Sequence, residues 1–319
     1  MDQADGGAIA IFDLGTNTFN LMVRSVDGTI IHRGKISVKL GKGSMQTGHI
    51  TDDAIARGID AIKTHMLTAK SHKASKAYAF ATSAFRSAAN GQSVAQAIKQ
   101  ATGIDVHVIS GEKEADFIAR GVAQALPHLS EPRLIVDIGG GSTECIVMDQ
   151  TDVVFANSYP LGVIRLLESH QPADPMTSTD IQAITQDITL TLSGLLDNCK
   201  RWNPKVMIGS SGSFDAMYQV LAKRLGLKKF KSKDKHAAMN RQAFINLLKD
   251  LIASSRVERL LMPGMDRSRV DTLQVAALQI LTLINELQVK DIHLSAYALK
   301  EGVWSDLTTP NSPWHASLL

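Results

Sequence analysis

Two periods of apolar spacing divide this 319-residue chain into strands and helices. Apolar Ile9 to Phe12 and the apolar positions after Asn20 enclose a polar, glycine-containing turn, which predicts strand, tight turn, strand. The same outline returns at Leu134 to Val136 and Thr143 to Met148. An edge strand is predicted near Ile30 to Leu40, and further strands at Lys76 to Thr82, Val106 to Ile109, Val153 to Ser158, Lys205 to Ile208 and Asp291 to Leu294. Helical spacing is found where Ile55, Ile59, Ile62 and Met66 follow the capping residues Thr51 and Asp52. It recurs through Val94 and Ile98, and in a helix that starts with Ser110 or Gly111 near its cap. One long helix is predicted to carry Ile181, Ile184, Ile188, Leu192 and Leu195 on a single face. Later helices cover roughly Arg241 to Ser254 and Ser268 to Leu287. Pro127 and Pro132 punctuate the chain before the second hairpin, so a domain junction is expected there, giving units 1–126 and 127–319. A hairpin meander followed by alternating helices and strands in each half predicts two related α/β domains facing a cleft, the last helix packing back on the first.

The two hairpins share their polar residues. Asp13-Leu14-Gly15-Thr16-Asn17-Thr18 is matched, 124 positions later, by Asp137-Ile138-Gly139-Gly140-Gly141-Ser142, followed by Thr143 and Glu144. Glycine lets a backbone approach an anion closely, and turn N–H groups with a hydroxyl form an anion-binding nest. Two facing copies suit a phosphate chain gripped from both sides. The small-residue run Gly209-Ser210-Ser211-Gly212-Ser213, between a strand and a helix, is a third candidate.

Composition narrows the classes. With 44% hydrophobic and 20% charged residues the chain reads as globular and long enough for two cores. The polar start Met1 to Gly7 lacks a signal-peptide pattern, and no apolar run approaches the ~18 residues of a membrane span. Cys145 and Cys199 make no disulfide framework and fit a reducing compartment, so a cytoplasmic location without a membrane partner is expected. A net charge of +3 does not point to nucleic acid. Between Lys223 and Lys235, however, seven of thirteen residues are Lys or Arg, among them Lys228, Lys229 and Lys231. That stretch is either a solvated loop or a docking strip for a polyanion; Phe230 alone interleaves it, which argues against stacking on single-stranded bases. The ten histidines show no metal spacing with cysteine, and neither a serine-hydrolase elbow nor a Walker loop occurs.

Taken with Ala81-Thr82-Ser83-Ala84-Phe85-Arg86, Ile109-Ser110-Gly111 with Glu114-Ala115, and Arg269-Val270-Asp271, the two hairpins make the chain resemble the exopolyphosphatase and guanosine pentaphosphate phosphatase family. That family lies in the actin, sugar-kinase and heat-shock ATPase superfamily, so the resemblance implies two ribonuclease-H-like (actin-like ATPase) domains facing an interdomain cleft. It implies hydrolysis of terminal phosphate from inorganic polyphosphate or guanosine pentaphosphate. Glu114 matches the carboxylate that activates water, and Arg86 an arginine near the scissile phosphate. Asp137 and Glu144 match positions suited to Mg²⁺ or another divalent cation, with Asp13 reaching it through water. Gly15, Thr16, Asn17, Thr18, Gly139, Gly140, Gly141, Ser142 and Thr143 would bind phosphate, as would Gly209, Ser211, Gly212, Ser213 and Arg269. Arg269 and Asp271 have a second reading, as an ion pair at a helix start.

The chain also departs from the family. Lys113 replaces the first of two adjacent glutamates, and Tyr297-Ala298-Leu299-Lys300-Glu301-Gly302 has Ala and Lys where Gly and Arg are favoured, which weakens a role for Lys300. Many relatives carry a further helical C-terminal domain without counterpart in these residues, so processive contact with long polymers is not expected. The leading expectation is an exopolyphosphatase, with a homodimer as a candidate assembly. The alternatives are a guanosine pentaphosphate 5′-phosphohydrolase, a non-catalytic alarmone or polyphosphate sensor, and a superfamily kinase.

Overall fold

In the computed structural model, which describes residues 7–126, 131–228, 230 and 234–309, each half of the chain builds one sheet from its hairpin outward. The first half runs β1 (Ala8–Leu14), β2 (Thr18–Arg24), β3 (Ile30–Ser37), α1 (Ser44–Thr47), α2 (Asp52–Ser71), β4 (Ala74–Ala81), α3 (Ser83–Ser87), α4 (Gly91–Thr102), β5 (Val106–Val108) and α5 (Gly111–Ala123). The second runs β6 (Arg133–Ile138), β7 (Thr143–Asp149), β8 (Asp152–Tyr159), α6 (Val163–His170), α7 (Ser178–Thr191), α8 (Ser193–Trp202), β9 (Val206–Ser210) and α9 (Ser211–Arg224). It ends with β10 (His236–Met239), α10 (Arg241–Ala253), α11 (Arg256–Leu261), α12 (Leu273–Leu287), β11 (Asp291–Ser295) and α13 (Leu299–Leu307).

The sheets are topological copies. Sheet order is β3-β2-β1-β4-β5 in the first and, read the same way, β8-β7-β6-β9-β11-β10 in the second. In both, the first three strands are antiparallel, and the later strands join the first one in parallel. The central strands β1 and β6 are buried on both faces, which is why they read as near-continuous apolar runs. Strand β10 is an additional antiparallel edge.

Two expected helices have different bounds. The long helix through Ile181 and Leu195 is split at Leu192 into α7 and α8, although Ile184, Ile188, Leu192 and Leu195 stay buried in one cluster. Thr189 donates back to the Thr185 carbonyl, and Ser193-Gly194 follows, both common causes of a kink. The helix expected from Ser268 begins only at Leu273, because Asp266 accepts from the Ser268 N–H and the next turns close tightly through Arg269.

Helices α5 and α13 lie between the sheets. Phe117, Ile118 and Val122 of α5 and Val303, Trp304 and Leu307 of α13 share one apolar cluster with Ile11 and Phe80 of the first sheet and Ile135, Ile146 and Ile208 of the second. Their backbones nearly touch: a Cβ on Gly302 would stand 1.7 Å from the Phe117 carbonyl oxygen, and one on Gly121 1.9 Å from that of Ala298. The final described helix thus packs back on the first half. Pro127, at the predicted junction, lies outside the described residues. Among them no helix is long and apolar enough to cross a membrane.

Candidate active site

A cleft of about 850 Å³ opens between the sheets, with both hairpin turns on its walls. The turns close alike, Gly15 N–H donating to the Thr18 carbonyl at 3.1 Å and Gly139 N–H to that of Ser142 at 2.9 Å. They also meet: a Cβ on Gly140 would lie 3.0 Å from Cβ of Thr16, so a side chain there would crowd the opposite nest. Asp13, Gly15, Thr16, Asn17, Thr18, Gly139, Gly140, Gly141 and Ser142 all line the cleft, as do Glu114, Asp137, Glu144, Ser211, Gly212 and Arg269.

Helix α5 starts with Ser110 accepting from the Lys113 N–H, which orients its first turn and turns Glu114 inward. Lys113 points elsewhere, to Asp116 and Asp306. Arg86, on the short helix α3 after β4, donates through Nη1 to Glu114 Oε2 at 2.6 Å and to the Ile109 carbonyl at 3.0 Å. Its Nη2 lies 3.5 Å from Ser158 Oγ, which in turn donates to Glu144 Oε1 at 2.7 Å. A chain Glu114–Arg86–Ser158–Glu144 therefore joins the two acids, with Arg86 and Ser158 themselves outside the residues that line the cleft.

Among the described residues, seven carboxylates line this space against five cations, Arg33, Lys35, Lys223, Arg269 and Lys300, and the acids nearest the turns are the most perturbed. Burial pushes Glu114 well above the ordinary carboxylate range, and Glu144 adds to the effect against the pull of Arg86. Glu144 is pushed up to about 7, by burial first and then by Asp137. Asp137 is raised by burial although the hydroxyls of Ser210 and Ser211 donate to its Oδ2 at 2.9 and 2.6 Å. Asp13 is raised by burial too, opposed by Lys300, 3.8 Å away, and by Asn20. Asp215, one turn into α9 and open to cleft water, is pushed up to about 6 by burial, with Arg269 opposing.

Asp137 and Glu144 sit directly opposite each other in the β6–β7 ladder, so their side chains share a face. Among the described residues no cluster of three or more His, Cys, Asp and Glu is arranged to hold a metal. Two hard oxygen donors in an acid-rich pocket nevertheless fit a Mg²⁺-type ion, which keeps several waters and takes substrate phosphate oxygens as further ligands.

Several predicted donors lie away from the cleft wall. Thr143 is fully buried, donating to the Leu161 carbonyl and accepting from Gln279 Nε2. Ser213 donates to the Ile138 carbonyl at 3.3 Å, and Gly209 belongs to β9, against the Phe214 ring. Asp271 pairs with Arg256 at 2.6 Å, not with Arg269, whose guanidinium packs over Gly212. Lys229 and Lys231 lie outside the described residues; Lys228 is exposed beside a hollow that shares Phe230 with the cleft. Ser158, Asp215 and Lys300 are the residues that sequence reasoning passed over or discounted. A serine on a predicted strand carries no local signal, and the Arg-to-Lys change at Lys300 hid a cation that still faces Asp13.

A family model described as the Ppx/GppA phosphatase family matches residues 21–309. An exopolyphosphatase from Cytophaga hutchinsonii is 34% identical, with a TM-score of 0.90, over 94% of this chain and 97% of that one. The Aquifex aeolicus member of the Ppx/GppA family superposes with a TM-score of 0.76 at 22% identity, over 96% and 99% of the two chains, a likeness of fold. A guanosine-5′-triphosphate,3′-diphosphate pyrophosphatase of Vibrio atlanticus is 28% identical over 297 residues, covering 92% of this chain. The chain spans 58 to 60% of the length of that protein and its Vibrio vulnificus and Photobacterium profundum counterparts. The two-sheet architecture is thus that of two-domain actin-like ATPase folds of the Ppx/GppA kind.

Proposed function

Because the chain belongs to the Ppx/GppA phosphatase family, we propose that it hydrolyses the terminal phosphoanhydride bond of a linear polyphosphate and releases orthophosphate. The observation that carries this reading is Glu114, buried on the cleft wall that both hairpin turns share and paired to the half-buried Arg86. The turn N–H groups and the hydroxyls of Thr16, Thr18 and Ser142 hold the chain's oxygens. Glu114 orients a water in line with the terminal phosphorus and takes its proton as the new P–O bond forms. A carboxylate whose proton affinity is raised by burial is a better acceptor for this purpose. The bridging P–O bond breaks, and the shortened chain leaves with its oxygen charged. Arg86 offsets charge on the transferring group. Asp137 and Glu144 would hold Mg²⁺ or another divalent cation, which neutralises phosphate oxygens when bound. Closure of residues 1–126 on 127–319 expels bulk water. Lys228, at the exposed rim, steers any polyanion toward the cleft, an effect that salt weakens.

Short inorganic polyphosphate is the leading substrate, supported by the likeness to the Cytophaga hutchinsonii exopolyphosphatase along both full lengths. Guanosine pentaphosphate is the second reading, favoured by the acid and amide side chains that α9 turns into the cleft. Phosphate release from tripolyphosphate, long-chain polyphosphate and guanosine pentaphosphate, with and without Mg²⁺, tests both. Glu114→Gln should lower kcat about 10²- to 10⁴-fold while substrate still binds. Undiminished phosphate release by that variant would refute the role given to Glu114.

A further inference from the structure

Beyond the phosphate-facing turns, helix α9 runs a stripe of side chains along the cleft. Ser211 and Gly212 open the helix, and Asp215, Gln219 and Lys223 follow at intervals of four, so a single helical face lines the cleft. Gly264 packs onto this stripe, 2.6 Å from the Gln219 carbonyl oxygen to where its Cβ would be. Phe230 lines the same cleft and meets Tyr218 of α9 edge to face.

The chemistry changes along the stripe. At the Gly212 end, Arg269 and the hairpin turns present donors, as phosphate requires. One turn on, Asp215 presents acceptors only. It makes no hydrogen bond or ion pair with any described residue and stands open to the cleft, while the protein around it still raises its pKa. Arg269 lies near enough to oppose that shift without pairing to it. Gln219 follows with an amide, and Lys223 restores a cation. An unpartnered carboxylate beside a phosphate nest repels a continuing phosphate chain, whose oxygens are acceptors. It accepts hydrogen bonds from a leaving group that carries O–H or N–H at this point. Building repulsion against one ligand is as effective a source of specificity as building attraction to another.

We propose that Asp215 is the specificity-determining residue of this cleft, selecting leaving groups that present hydrogen-bond donors over those that continue as phosphate. The proposal rests on the phosphoanhydride hydrolysis argued above and sets how strongly the cleft discriminates against a long continuing phosphate chain, leaving short chains as its reference substrate. Ribose hydroxyls and the N1–H, N2–H₂ edge of guanine meet the requirement, and a long inorganic chain does not.

The experiment compares kcat/KM at pH 8 for tripolyphosphate, long-chain polyphosphate and guanosine pentaphosphate in wild type, Asp215→Asn and Gln219→Glu. Asp215→Asn keeps the shape and removes the charge. It should raise the ratio of long-chain to tripolyphosphate kcat/KM about tenfold and lower the ratio of guanosine pentaphosphate to tripolyphosphate by a similar factor. Gln219→Glu extends the acidic stripe and should lower the long-chain ratio. Ratios unchanged in both variants, or rates that move together for all three substrates, overturn the proposal. Should wild type release phosphate from none of them, the hydrolase reading fails instead. Equilibrium binding of long-chain polyphosphate then decides the role of Asp215 alone: tighter binding by Asp215→Asn supports it, and equal binding ends it.

Discussion

Glu144 occupies, in the second hairpin, the register position that Asn20 holds in the first. Asn20 stands opposite Asp13 and donates to its Oδ2 at 3.0 Å, whereas Glu144 stands opposite Asp137. One copy of the duplicated motif therefore satisfies its aspartate with a neutral donor, and the other sets two acids face to face. Like charges at a directly opposed pair are destabilising unless something neutralises them, so the second hairpin carries an excess of negative charge that the first does not.

The same opposition makes stability depend on pH at Glu144. Its carboxyl is pushed up to about 7 from an ordinary 4.5, so the folded state favours the protonated form, and ionisation at higher pH costs stability. Glu144→Gln removes that cost while Ser158 can still donate to the side-chain oxygen. Thermal melts should show the variant more stable than wild type at pH 8, by on the order of 2 kcal/mol, with the gain fading as pH falls from about 7 to 4.5. Phosphate release should fall in the same variant. A gain equal at pH 5 and pH 8 would contradict the electrostatic cause.

Arg86 binds through a fork: Nη1 serves Glu114 and the Ile109 carbonyl, and Nη2 approaches Ser158. Lysine supplies one point charge and cannot hold these partners together. Arg86→Lys should therefore lower kcat by about 10²-fold, close to the loss in Arg86→Ala. Full activity in the lysine variant would show that charge alone suffices.

The α5–α13 crossing is a packing test independent of chemistry. A methyl group at Gly302 has no room against the Phe117 carbonyl, and both helices carry the cluster between the sheets. Gly302→Ala should cost about 3 kcal/mol in denaturant unfolding. Because α5 also carries Glu114, whatever folded protein remains should show a lowered kcat.

Lys35 of β3 reaches Asp266, in the turn before α12, at 2.9 Å, tying the two halves together at the cleft wall. The pair is largely exposed, so a double-mutant cycle with Lys35→Ala and Asp266→Ala should give a coupling of no more than about 1 kcal/mol. Its larger effect should be kinetic, with single variants raising KM for tripolyphosphate in dilute salt and less so in concentrated salt. A KM insensitive to both changes would leave the pair without a part in binding.

Much of this molecule was legible in local pattern. The hairpins, the parallel strands that follow, the Ser110 cap and the position of Glu114 at the head of α5 depend on neighbours within a few residues, and their spacing alone predicts them. The kink at Leu192 and the late start of α12 were not visible, because both arise from side chains bonding back to the backbone against an otherwise helical period.

The sequence by itself determined that two Asp-x-Gly hairpins exist, that they are copies, and that acids and one arginine cluster near them in family order. Only the tertiary structure decided which side chains face the cleft. Thr143 and Glu144 are adjacent on one strand and point to opposite faces, and nothing local says which face meets a ligand. The stacking of the two sheets settles it, turning Glu144 toward Ser158 and burying Thr143 against Gln279. Asp215 and Lys300 enter the cleft, and Ser158 links Arg86 to Glu144, for the same reason: what they face, Asp13 for Lys300 and Arg86 for Ser158, lies tens to hundreds of positions away, at distances that no periodicity encodes.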